Sequence, residues 1–381
     1  MQPMRQHLPN GKTVSTILRP GIPALQAEQA ERSSFLERAG QLWSGALGSL
    51  LAAAGYRTGA ISANGQVSRA TGFAHGFGDF RFLAHGPPSE ETVDAALAWL
   101  DEGEGGRPWF LYVHDLDPHA PYTPPDDLRR RFAPDVDPEA GSHAAIVAAY
   151  GARGVERARR VADLVPLYEA EVAAMDRAFG RLLDGLADRG MADDTLVVFV
   201  SDHGEEFDEH GDLGHGKNLF RPSLDVPLVV RLPGQRRGVR VSRLAQHVDL
   251  LPTVLARAGL EPPPGLPGVD LAELARFADG DHVPPRPAVS HLHSDRRRGT
   301  ALTLGGWKLI RPESAPLGLR PTLYAWLDDP AESHDLARAR PVRAGYLRSL
   351  LRAETAAPEA ESTPAEIDKE TRRSLEALGY L

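Results

Sequence analysis

The sequence predicts an α/β fold, with a mainly parallel central sheet followed by a small C-terminal antiparallel subdomain. Three observations carry that expectation. Short apolar runs alternate with segments whose apolar residues recur at helical spacing, the order that builds a parallel sheet covered on both faces. The two strongest runs, Pro108–His114 and Thr195–Val200, are apolar almost throughout and end in polar loops, as interior strands do. Beyond a Pro/Gly-rich connector at 259–268 the pattern changes to short β-like pieces.

The elements follow in order. Residues 1–40 are irregular, because Pro9, Pro20 and Pro23 break any long helix. From Gln41 to Ala54 the apolar residues Leu42, Trp43, Ala46, Leu47, Leu50 and Leu51 keep helical spacing, and Gly55 fits the stop. Thr58–Ala63 is a short buried strand and Glu90–Leu100 an amphipathic helix. After the strand at Pro108–His114, helical spacing returns from Val161 to Leu186, closed by Gly190. Thr195–Val200 and Asp225–Arg231 are strands. Asp249–Ala258 is a helix with Pro252 tolerated in its first turn. In the C-terminal part, Thr300–Leu304, Trp307–Ile310 and Thr322–Trp326 read as strands. A polar, alanine-rich stretch follows, then a solvated linker at 353–363 and a last helix from Pro364 to Leu378. The expected organisation is an irregular segment 1–40, an α/β domain 41–268 and a C-terminal subdomain 269–381.

Composition narrows the function classes. The 381 residues are 42% apolar and 25% charged, ordinary for a chain that buries a full core. A net charge of −9 argues against a general nucleic-acid binder, which would show a basic face. An anionic small substrate stays open, since a few local cations suffice for it. The absence of cysteine excludes disulfides, thiolate metal sites and cysteine nucleophiles. No apolar stretch reaches the roughly 18 residues of a membrane span, and no signal peptide follows Met1.

Two constellations carry chemistry, and each begins where a strand ends, the place where ligands sit in such sheets. The first runs from Asp202-His203-Gly204-Glu205-Glu206 through Leu213-Gly214-His215-Gly216-Lys217. A carboxylate beside an imidazole suits a divalent cation, and His215 and Lys217 suit an anionic group bound to it. The alternative is a polar loop with a capping aspartate. The second runs from His114 to Pro125, with Pro118, Pro121, Pro124 and Pro125 stiffening the loop that presents His114 and His119. Imidazoles held this way suit hydrogen bonding to a tetrahedral oxyanion or protonation of a leaving group. The alternative is a rigid surface turn.

These segments resemble the sulfatase family of the alkaline phosphatase superfamily. Phe110–Pro125 is similar to the family's FLYVHxxDPHxPYxPP stretch, and Val197–Pro233 to its second metal-binding segment. Ala54–Thr58 with Gly72–Phe80, His247–Thr253, and Gly306–Ile310 with Leu323–Tyr324 and Asp329–Glu332 resemble further family motifs in the family's order. The resemblance spans about residues 45 to 381 and implies an alkaline-phosphatase-like sandwich. It implies Asp202 and His203 as metal ligands and His119 and His215 as catalytic contacts to the sulfate or leaving oxygen. It implies His114 and Lys217 as substrate-binding. The cation is expected to be Ca2+, with Mn2+ or Mg2+ as alternatives, and the substrate a sulfate ester of a small molecule or glycan.

Family members also carry an N-terminal strand with two aspartate ligands and a C/S-x-P-x-R motif whose cysteine or serine becomes formylglycine. Here the first aspartate is Asp79, and no such motif is present. Thr13 is a candidate nucleophile, against the alternative of an ordinary helix-start hydroxyl. Three explanations compete: a truncated start, a degenerate non-catalytic relative, or a missing segment supplied by another chain. Truncation is the expectation, which leaves the compartment open. A phosphodiesterase or phosphonate-type hydrolase, and a non-catalytic binding protein, are the competing functions.

Overall fold

The computed structural model describes residues 44–355 apart from 85, 104–105, 264–265, 267, 277–284, 294–296 and 315–319. The expected irregular segment 1–40, Thr13 and the helix expected at Pro364–Leu378 lie outside the described residues. The chain falls into two compact units, divided between Thr195 and Leu196.

The first unit is built on a three-stranded parallel sheet in the order β2-β1-β3. Helix α1 (Ser44–Ala53) leads into β1 (Arg57–Ser62) through Gly55, whose φ of 92° is the left-handed turn that glycine adopts without strain. The strand β2 (Asp79–Phe82) has no counterpart in the sequence reading; four residues are too short to show a period. Helix α2 (Ser89–Asp101) crosses to β3 (Trp109–His114), which pairs with β1 so that His114 lies beside Ser62. Trp99 of α2 is fully buried against β1. A Cβ on Gly59 would stand 2.3 Å from its indole, so only glycine admits this approach.

Two further helices, α3 (Asp126–Phe132) and α4 (His143–Gly151), precede the 35-residue α5 (Gly154–Asp188). α5 starts seven residues before the expected Val161. Its first turns carry charge pairs, Glu156–Arg160 at 2.7 Å and Arg159–Asp163 at 3.1 Å, instead of an apolar stripe. Pro166 sits inside α5 and removes one ladder bond, to the Ala162 carbonyl. α2 and α5 run parallel, laced by Glu90–Arg177 (2.7 Å), Asp94–Arg181 (2.5 Å) and Asp101–Arg189 (2.6 Å).

In the second unit, β4 (Val197–Val200) pairs antiparallel with β7 (Leu228–Arg231), so the expected parallel character belongs to β1–β3 and not to this pair. Between them lie the small hairpin β5 (Glu206–Phe207) and β6 (Leu213–Gly214) and the one-turn helix α6 (Arg221–Leu224). Helices α7 (Leu250–Arg257) and α8 (Leu271–Arg276) lead to a four-stranded antiparallel sheet. Its strands are β8 (Ala288–His293), β9 (Arg298–Leu304), β10 (Trp307–Pro312) and β11 (Thr322–Tyr324).

Val289, Leu302, Leu309 and Leu323 stand opposite one another across all four strands. Leu347 and Leu351 of α9 (Pro341–Glu354) close over that row. The polar, alanine-rich stretch, for which no element was expected, contains α9, which runs to Glu354, two residues into the linker expected at 353–363. Its face is short, and Val342 and Tyr346 stay exposed, which blurs the period. On the other sheet face, Leu292, Ala301, Ile310 and Tyr324 receive Leu219 and Phe220 from the loop before α6. Among the described residues no helix is long and apolar enough to cross a membrane.

Candidate active site

The loop after β4 is shaped by a sequence of local bonds. Ser201 donates its hydroxyl to the His203 carbonyl at 2.7 Å, and its own carbonyl accepts from His247 Nε2 at 2.8 Å. His203 N–H donates to Asp202 Oδ1 at 2.9 Å. Gly204 then passes so close to α6 that a Cβ would meet the Pro222 carbonyl oxygen at 2.0 Å, and its N–H bonds the Ser223 carbonyl at 3.0 Å. The Asp-His-Gly order thus has a steric reason for its glycine.

Beyond it the loop folds around Glu206, which is fully buried. One carboxylate oxygen accepts from the backbone of His210 (2.8 Å) and Asp212 (3.2 Å), and the other from the Asn218 amide. The loop is also fastened to the C-terminal sheet and the turn that follows it. His210 stacks on Phe220 with ring centroids 3.8 Å apart and bonds the Ala331 carbonyl at 2.9 Å. Glu332 accepts from Arg221 N–H at 2.7 Å and pairs with buried Lys308 at 2.9 Å. Burial holds the Lys308 amine below its ordinary pKa despite Glu332 beside it.

Within this frame Asp202, His203 and His215 converge. His203 Nδ1 lies 2.9 Å from the Gly204 carbonyl, so it is the N–H donor, and Nε2 points to the side of Asp202 Oδ2, 3.7 Å away. That arrangement fits a ligand pair: the second ring nitrogen is fixed by a carbonyl, as in metal-bound histidines. Two donors are a third or less of the ligands a hard cation takes, and among the described residues no group of three or more His, Asp or Glu side chains is placed to hold a metal ion. His215 stacks on His203 at 4.0 Å between centroids and holds Glu205 through Nδ1 at 3.1 Å. Burial and then the neighbouring His203 keep His215 below the usual histidine range, against the pull of Glu205. For His203 burial acts downward, but Asp202, the Gly204 carbonyl and Glu205 outweigh it and raise the pKa. Lys217 donates its ammonium to the Leu213 carbonyl of the same loop. The sequence gives no role to Glu205 or Glu206, and the structure supplies one for each.

The other two candidate histidines, His114 and His119, belong to the first unit. His114 ends β3, with Nδ1 2.9 Å from the Tyr112 hydroxyl and Nε2 3.3 Å from the Asn64 amide. The amide is a donor, so the imidazole is neutral there with its proton on Nδ1. His119 sits on the proline loop between cis peptides at Asp117-Pro118 and Ala120-Pro121. Its Nδ1–H donates to the Ala120 carbonyl at 2.6 Å, which fixes the tautomer. Asp117 caps α2, accepting from Ser89 N (3.0 Å) and Ser89 Oγ (2.7 Å). Asn64 and Tyr112 escape a reading by sequence because neither stands in a charged cluster.

A family model described as Sulfatase matches residues 26–260. Arylsulfatase K of Danio rerio is 31% identical over 196 residues, 50% of this chain and 37% of that protein. The multifunctional alkaline phosphatase superfamily protein PehA of Trinickia caryophylli is 27% identical over 207 residues, 47% of this chain and 39% of that protein. The chain thus spans well under half the length of these relatives. Among solved structures, BT4656 in complex with its substrate D-glucosamine-2-N,6-O-disulfate is similar with a TM-score of 0.67 at 18% identity, over 81% of this chain and 82% of that one. The phosphonate monoester hydrolase of Agrobacterium radiobacter is similar with a TM-score of 0.60 at 23% identity, over 81% and 80%. At these identities the structural likeness establishes the fold.

Proposed function

The chain belongs to the sulfatase family of the alkaline phosphatase superfamily, and from that premise we propose that it hydrolyses a sulfate ester of a small molecule or glycan. The observation that carries the reading is the Asp202–His203 pair, with His215 stacked against it and steadied by Glu205. Asp202 and His203 would hold a divalent cation, Ca2+ first and Mn2+ or Mg2+ after it. Such an ion offsets the negative charge that builds on sulfuryl oxygens as the ester breaks.

The remaining work falls to the chain's own groups. Glu205 accepts the Nδ1 proton of His215 and so aims the other ring nitrogen at a bound sulfate oxygen. His119, oriented by the Ala120 carbonyl, is the group to protonate the departing alcohol oxygen from Nε2. His114, held between Tyr112 and Asn64, and Lys217 are the substrate-binding groups. Among the described residues no third ligand joins the pair, and Thr13, the candidate nucleophile, lies outside them.

A second reading is hydrolysis of a phosphodiester or phosphonate monoester. The likeness to the Agrobacterium radiobacter enzyme and to PehA supports it, and Asp202 and His203 do not discriminate sulfur from phosphorus. The test is turnover of aryl sulfate, aryl phosphate and aryl phosphonate esters with added Ca2+ or Mn2+, for the parent and Asp202→Ala. Cation-dependent sulfate release that is lost in the variant supports the proposal. A preference for the phosphorus esters supports the second reading. No turnover, with Asp202→Ala binding Ca2+ as the parent does, overturns both and leaves a binding protein.

A further inference from the structure

Residues 232–246 lead from β7 to the turn at His247, form no helix or strand, and take no part in the chemistry above. Their charge is one-sided. Arg231, Arg236, Arg237, Arg240 and Arg243 fall within one short stretch, and no Asp or Glu stands between Asp225 and Asp249. The whole chain carries a net charge of −9, so this run departs from its surroundings in sign. Charge at a surface acts over about one Debye length, roughly 8–10 Å in ordinary salt, so a partner that meets the loop meets the arginines first.

The shape of the loop holds the run in solvent. Gly234, with φ of 70°, turns the chain out of β7. Gln235 fixes that turn. Its Oε1 accepts from the Leu232 N–H at 3.0 Å, its own N–H donates to the Leu232 carbonyl at 3.0 Å, and its Nε2 donates to the Arg237 carbonyl at 2.9 Å. Beyond the turn, Arg236, Arg237 and Arg240 are exposed. A Cβ on Gly238 would meet no atom within 4 Å. Val239 and Val241, on either side of Arg240, are 69% and 40% exposed.

Arginines alone suit any polyanion. The valines decide between partners, because a hydrated soluble polyanion offers an exposed apolar side chain nothing. A lipid interface takes both kinds of residue. Apolar side chains enter the boundary between headgroups and acyl chains, and guanidinium groups stay among anionic headgroups with their aliphatic stems along the apolar layer. Single exposed valines are ordinary on a protein surface. Two of them set among arginines on an acid-free loop make the composition of an interfacial anchor.

We propose that the 231–243 loop docks this protein on an anionic lipid surface, with Arg236, Arg237 and Arg240 among the headgroups and Val239 and Val241 inserted beside them. The proposal goes beyond the sulfatase reading and stands or falls without it.

The test is co-sedimentation of the full chain with vesicles of phosphatidylcholine alone and with about 30% phosphatidylglycerol, in about 0.1 M salt. The parent is expected to bind the anionic vesicles and not the neutral ones. Arg237→Gln with Arg240→Gln should weaken that binding about thirtyfold, and Val239→Ser about fivefold. The control is Arg338→Gln with Arg348→Gln, which removes the same charge from other exposed positions and should bind as the parent does. All the substituted side chains are exposed, so the fold is expected to survive each change. A parent that ignores anionic vesicles, or a control pair that loses as much as the loop pair, overturns the proposal. Heparin separates the soluble source of the same charge. A parent that binds heparin as tightly as vesicles, with Val239→Ser equal to the parent on both, makes the loop a polyanion site and also overturns lipid docking.

Discussion

A methyl group on Gly204 would stand 2.0 Å from the Pro222 carbonyl oxygen, which is backbone and does not yield cheaply. Gly204→Ala is expected to cost about 2–4 kcal/mol, read as a lower denaturant midpoint, and to weaken Ca2+ binding because it shifts the adjoining Asp202-His203 peptide. Unchanged stability would mean that α6 moves freely away from the loop. The site is legible in the sequence where its residues stand near one another: Asp202, His203 and His215 fall in one polar run after a strand, and the structure brings them together. Their partners are not legible. Nothing in the order of residues says that Glu205 takes the Nδ1 proton of His215, or that His247 reaches back to the Ser201 carbonyl. Such contacts depend on where the chain returns, and a motif read along the chain carries no record of that. Asn64 is the clearest case: it meets His114 from 50 residues away.

At the scale of elements, the loop from 205 to 218 has almost no regular structure and is instead built around one buried side chain. Glu206→Ala leaves the His210 and Asp212 amides and the Asn218 side chain without their acceptor. The expected loss is about 2–4 kcal/mol, since each orphaned donor carries a desolvation cost, and proteolysis should begin within this loop. Cleavage elsewhere first would show that β5 and β6 hold without it. The ladder between α2 and α5 behaves differently. Arg181→Ala removes a pair whose side chains are 45% and 61% exposed, so the melting curve should move by less than about 1 kcal/mol. Elements with a strong apolar period, such as α2, β3 and β4, are legible from sequence. Those whose residues answer to charge pairing or to a neighbouring element are not. The first two turns of α5 are held by Glu156 with Arg160 and Arg159 with Asp163. The antiparallel pairing of β7 with β4 is a choice of direction, which an apolar run does not encode.

For the whole molecule, the pH dependence of stability follows from where its buried acids sit. Asp101 and Glu156 have lowered pKa values but are solvent-exposed, and salt and water screen what they contribute. Glu171 is the opposite case, a carboxyl raised from 4.5 to about 8 by burial first and by Asp117 and Asp115 after it. The folded chain therefore holds a proton there that the unfolded chain has released. Below about pH 4.5 both states are protonated and Glu171 costs nothing in this respect. Between about 4.5 and 8 the folded state binds more protons than the unfolded one, so stability falls as pH rises, and above about 8 the fall is complete. A shift of this size corresponds to a cost on the order of 5 kcal/mol. Glu171→Gln removes the ionisable group and keeps the hydrogen-bond acceptor, so its stability should not show this fall. The difference between parent and variant is the quantity to measure, because titrating groups that do not interact with Glu171 cancel in it. Urea unfolding of both proteins at intervals from about pH 5 to pH 9 should show the variant gaining on the parent steadily and then levelling off. A difference that stays flat over that range would place the Glu171 carboxyl in contact with water, ionised in the folded chain as in the unfolded one.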